Sequence, residues 1–136
     1  MLKETITFVD YNGVERTEDF YFNLTNAEVT EMEMSTSGGL AEMINRVVAA
    51  QDAPAIIKIF KDLILKAYGV KSPDGKRFIK SDEISTEFSQ TEAYSELLME
   101  LMTDPTGKKF ADFFKGILPK DYVAELPDDL TAVINN

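Results

Sequence analysis

The chain has 136 residues, with 24 acidic side chains against 14 basic ones and a formal net charge of −10. This length fits one domain with its own core, and the charge disfavours direct DNA or RNA binding, because phosphate backbones are held mainly by lysine and arginine releasing counterions. Cysteine and histidine are both absent, which excludes a disulfide frame, thiolate and Ser-His nucleophiles, and the commonest general base near neutral pH.

The opening residues MLKETITFVD alternate and offer no signal-peptide core, and no run approaches the roughly 18–20 apolar residues of a membrane span. A cytoplasmic setting is expected. Residues 3–22 read as a β-hairpin turning at Asp10-Tyr11-Asn12-Gly13. A two-residue Asn12-Gly13 loop would split the apolar set between faces. A three-residue loop, with a type I turn and Gly13 left-handed in a G1 bulge, puts Ile6, Phe8, Phe20 and Phe22 on one side.

Thr25 and Glu28 form a capping box, and Leu24 is placed to staple onto Val29, so a short helix starts here and fades at Ser35–Gly39. A second helix is expected from Leu40 to Gln51, its stripe being Leu40, Met43, Ile44, Val47 and Val48. The two should form a short-loop antiparallel or corner pair. Asp52 then caps residues 54–68, PAIIKIFKDLILKAY, the most apolar helical run. At about 100° per residue its apolar side chains cover roughly half the circumference, so this helix is expected at the centre of the core, with Phe60 among the central residues. Gly69 is expected as its left-handed C′ residue. Leu65 projects into the strip formed by Lys58, Lys61, Asp62 and Lys66, which marks it as an exposed leucine.

Val70–Ile79 has the proline, aspartate and glycine of a tight turn or small second hairpin. Ser81 opens a helix through Phe88. Ser89–Glu92 reads as another capping box before a helix carrying Tyr94, Leu97, Leu98, Leu101 and Met102. Asp104-Pro105 begins a helix with the stripe Phe110, Phe113, Phe114 and Ile117, stopped by Pro119. Residues 119–136 read as an acidic tail without a long amphipathic stripe, with one helical turn expected after Pro127. The expected fold is therefore α+β: an N-terminal hairpin and a bundle of five to six helices around 54–68, forming one domain over 1–118.

No catalytic, cofactor-binding or metal-binding residues emerge. Val70–Ser81 has Ser72, Asp74 and Gly75 at calcium-loop places, but Val70 and Ser81 stand where ligands belong, and turn chemistry explains the stretch better. STSGGL lacks the lysine of a phosphate loop. Met32, Met34, Met43, Met99 and Met102 are soft side chains suited to core filling or to adaptable contacts. Met34 and Met99 fit their stripes least well, and with Leu65 they are the candidate partner-binding residues. Glu28, Glu31 and Glu33 suit a solvated face or a basic partner.

FYFNLTNAEVTEMEMSTSGGLAEMI, IFKDLILKAYGVKSPDGKRFIKSDEI and FSQTEAYSELLMELMTD together resemble the tail assembly chaperones of long-tailed bacteriophages, in particular those of phages and prophages of Gram-positive bacteria, over roughly Lys3 to Leu118. The resemblance implies a non-enzymatic helper without cofactors. Such a helper acts in the host cytoplasm, holds the tape measure protein soluble, brings tail-tube protein to it and is absent from the finished particle. No nucleic-acid or membrane partner is expected, from the net charge and the lack of a membrane span; the resemblance transfers no individual residue, and monomer and homo-oligomer both stay open. Two competing classes remain: an acidic decoy covering a basic, nucleic-acid-binding surface, and a minor structural tail protein.

Overall fold

The hairpin forms with the turn that parity demands. β1 (Leu2–Val9) and β2 (Glu15–Phe22) pair antiparallel from Leu2↔Phe22 to Val9↔Glu15. Gly13 has φ 78°, and its N–H donates to the Asp10 carbonyl at 3.0 Å. Ile6, Phe8 and Phe22 are consequently buried on one face with Phe20 half-buried beside them. The other face is polar, where Thr5 donates to Asp19 and the hydroxyls of Thr7 and Thr17 lie 2.9 Å apart.

The structure, a computed structural model, describes residues 1–35 and 38–125, with only the backbone of Ala41, Ile44, Val47, Val48, Val123, Ala124 and Glu125. After the hairpin come α1 (Asn26–Ser35), α2 (Leu40–Ala49), α3 (Ala53–Ala67), β3 (Tyr68–Lys71), β4 (Phe78–Ile79), α4 (Asp82–Ser89), α5 (Glu92–Thr103), α6 (Lys108–Ile117) and α7 (Lys120–Glu125). The strands make one antiparallel sheet in the order β1-β2-β3-β4. The class is α+β, as expected.

The core lies between the inner face of the sheet, α5, α6 and the last turns of α3. Phe22, Leu97, Phe110, Phe113, Phe114 and Ile117 are fully buried, and Phe22 meets Phe113 and Phe88 edge-on at 5.4 and 5.8 Å. Within α3 the buried residues are Leu63, Ile64 and Ala67, so its C-terminal half enters the core. Phe60 is only half-buried, stacked on Phe110 at 3.8 Å.

Several local expectations need correction. Leu65 is not an exposed leucine: it is half-buried against the core, and its carbonyl accepts the Ser85 hydroxyl of α4. Lys58, Lys61, Asp62 and Lys66 around it stay exposed. Gly69 is not a left-handed C′ residue either, because α3 passes directly into β3 at an extended Tyr68. Its hydrogen is needed for space, since a Cβ there would stand 2.6 Å from the Phe78 ring. We expect Gly69→Ala to destabilise the fold by about 1–3 kcal/mol through this overpacking, read as a lower urea midpoint with an unchanged m-value.

Thr91, not Ser89, caps α5: its hydroxyl oxygen accepts the Tyr94 N–H, while Ser89 still belongs to α4. α2 stops at Ala49, and Gln51 takes a left-handed φ of 55° before Asp52 accepts the Ala55 N–H at the start of α3. α6 begins three residues later than Pro105, behind a left-handed Gly107, and Asp104 reaches over that glycine to accept the Lys109 N–H at 2.9 Å. Past Pro119, part of the expected tail is helical, as α7. The turn expected after Pro127 and the side chains of Ile44, Val47 and Val48 lie outside the described residues.

Candidate docking grooves

α3 is apolar around half its circumference, but its buried residues, Leu63, Ile64 and Ala67, all lie in its C-terminal half. Its N-terminal half carries Ile56, Ile57, Ile59 and Phe60, all half-buried. One apolar groove runs along each flank. The first, of about 290 Å³, lies between α3 and the α5–α6 corner and is lined by Ile56, Ile57, Phe60, Met102 and Phe110. The second, of about 370 Å³, lies between α1, α2 and α3, with Met32, Leu40, Met43, Ile59 and Leu63 as its apolar lining. Lys58, Asp62 and Lys66 rim this second groove, and Lys58 is paired with Asp62 at 2.9 Å.

The walls of the second groove are fixed by carboxylates. Thr25 and Glu28 close the capping box at the start of α1, with Thr25 N–H to Glu28 Oε1 at 2.9 Å and Glu28 N–H to Thr25 Oγ1 at 3.2 Å. The other Glu28 oxygen accepts Lys80 Nζ at 2.8 Å, and Lys80 also donates to the Asn23 carbonyl. Partial burial pushes the Glu28 carboxyl up, but the bonds from Lys80 and Thr25 outweigh it and hold the group below the usual glutamate range. Glu33, at the other end of α1, accepts the Leu40 N–H at 2.9 Å, capping α2, which begins after Gly39. The same Glu33 oxygen accepts the Tyr122 hydroxyl of α7.

Both grooves are lined mainly by apolar side chains. Among the described residues no group of carboxylates is arranged to hold a metal ion, and no helix is long and apolar enough to cross a membrane. No curated protein and no solved structure matches the chain. The phage tail assembly chaperone family, however, matches residues 1–132. The chain belongs to that family.

Tail assembly chaperones act on tail proteins as helpers and are not enzymes. The family match extends past Leu118, where the recognisable likeness in the sequence stops, and takes in α7. In this chaperone the three candidate contact residues sit on separate helices: Met34 on α1, Leu65 on α3 and Met99 on α5. Met34 is 84% exposed and Met99 52%, so both reach solvent, whereas Leu65 is engaged with the core. Met32, Met43 and Met102, whose softness suited either core filling or adaptable contacts, line the grooves of the chaperone, whereas Ile56, Ile57 and Ile59 carried no contact signal of their own. Their only sign was the breadth of the α3 apolar arc, which in the sequence reads as burial on two or three sides.

Proposed function

We propose that this chaperone binds the tape measure protein, keeps it soluble and promotes assembly of tail-tube subunits around it. On this reading it works in the cytoplasm of a Gram-positive host and leaves before the virion is complete. The observation that carries the reading is the pair of apolar grooves flanking α3 in a member of a tail assembly family. An amphipathic client helix recognises such a groove through side chains at i, i+3, i+4 and i+7. Methionines in both grooves adapt to varied client side chains without a fixed shape. Met34 and Met99 add exposed apolar contacts beyond the grooves. The net charge of −10 keeps a loaded complex dispersed.

An acidic decoy is less well supported, because many carboxylates are committed to the fold. Glu28, Glu33, Asp52, Asp74 and Asp104 each accept backbone N–H groups. Co-expression with the tape measure protein of the same phage tests the proposal. The soluble client yield should rise several-fold, and unchanged aggregation across a range of expression ratios would overturn it.

A further inference from the structure

β1 forms one edge of the sheet, and its outer side is unpaired among the described residues. The Asp10 N–H donates to the Val14 carbonyl, so by the alternation of an antiparallel ladder the even residues of β1 bond β2 and the odd ones turn their N–H and C=O groups outward. Those odd residues are Lys3, Thr5, Thr7 and Val9, all exposed, and no described group bonds their outward backbone atoms. An edge of this length without proline or bulge is open to another strand. The opposite edge, β4, has only two residues.

α5, which packs against β1, decides what kind of strand fits. Its charged residues are Glu92, Glu96 and Glu100, with no lysine or arginine among them, and their spacing puts them in one row about 6 Å apart. That row follows β1. The Tyr11 hydroxyl at the hairpin turn donates to Glu92, and at the other end Glu100 lines a groove of about 170 Å³ together with Leu2, Glu4, Lys109 and Asp112. Glu96 and Glu100 are exposed, which places the row on the open side of β1 and not over the core. In the groove Lys109 lies 3.6 Å from Glu100, and Lys108 pairs with Asp112. Glu4 makes no ion pair among the described residues, and burial together with the charge of Glu100 pushes its carboxyl up. Alternate side chains of an added strand would lie about 6.8 Å apart, close to the spacing of the glutamates.

A second copy of the chain does not fit this edge. Its odd residues would have to pair with odd ones, which sets both α5 helices on the same face over strands about 4.8 Å apart. Packed helices need about 8–10 Å between axes. We propose that the β1 edge takes an extended basic segment of a partner protein as a fifth strand, with lysine or arginine at alternate positions facing Glu96 and Glu100. The backbone ladder supplies the binding and the alternating cations supply the selection. This docking does not rest on the client reading of the grooves beside α3.

Hydrogen exchange followed by NMR on the full chain tests it, with short acetylated peptides as probes. A saturating peptide of alternating threonine and lysine should slow exchange at the Lys3, Thr5, Thr7 and Val9 amides about tenfold or more, and change little at Glu4, Ile6 and Phe8, which already bond β2. A peptide of alternating threonine and glutamate should protect none of them, and Glu96→Lys combined with Glu100→Lys should exchange the two preferences. Resonance shifts at Glu96 and Glu100 without slower exchange at the odd amides would mean that charge alone holds the peptide, and would overturn the proposal. Equal protection by the glutamate peptide would do the same. So would protection that rises with protein concentration when no peptide is present, because a second copy would then be the strand that pairs.

Discussion

Replacing Phe22 by alanine should remove about 3–5 kcal/mol of folding stability, the usual cost of deleting a buried ring whose site cannot collapse. Phe22 is 0% exposed. It has no slack around it, because Tyr68, Phe88 and Phe113 approach it with ring centroids 5.7, 5.8 and 5.4 Å away. These neighbours come from β3, α4 and α6, so one cavity loosens the sheet and two helices at once. For a domain of this size each kcal/mol moves the melting midpoint by roughly 2–8 °C, and a fall of about 10 °C or more is expected by circular dichroism. Met34→Ala serves as the contrast, since an exposed side chain outside the core should change stability by no more than about 0.5 kcal/mol. Equal melting midpoints for the two variants would show that the sheet face is not where the core lies.

Ile57→Asp should have the opposite profile, with folding nearly intact and client binding lost. Ile57 lines the first groove and is half-buried, and it is not among the residues packed against the buried cluster. A carboxylate there leaves the helix in place but cannot be desolvated beneath an apolar client side chain without a partner. A central apolar contact is worth about 2 kcal/mol or more at such a surface, which corresponds to roughly a 30-fold weaker Kd. Fluorescence anisotropy with a labelled tape measure fragment measures this directly. Unchanged affinity would remove the first groove from the client surface, and a large drop in melting midpoint would place Ile57 in the core.

What could be read from the sequence follows the range of the interaction concerned. The G1-bulged turn at Gly13, the Thr25–Glu28 capping box and the Phe110–Ile117 stripe are set by residues a few positions apart, and each formed as expected. Ser89 failed because two hydroxyl-bearing residues compete for one helix start, and Thr91 also donates to the Phe88 carbonyl, closing the preceding helix. Gly69 and Leu65 failed for a different reason. The partners that define them, Phe78 and Ser85, come from segments whose packing no local pattern encodes. The grooves were half legible. Periodicity measures how much of α3 is apolar, but which part of that surface the neighbouring helices leave uncovered depends on where α1, α2, α5 and α6 come to rest.

The two residues linking β2 to α1 bind helix ends far away in sequence: the Asn23 N–H donates to the Ala67 carbonyl and the Leu24 N–H to the Ile117 carbonyl, both at 2.8 Å. Leu2 likewise lies beneath Gly116, where a Cβ would come within 3.0 Å of it. During synthesis the hairpin therefore emerges well before α3 and α6, and it waits for its last partners until α6 has left the ribosome. Such late closure favours slow folding, and in a nascent copy the Phe22 side of the sheet stays unsealed until then.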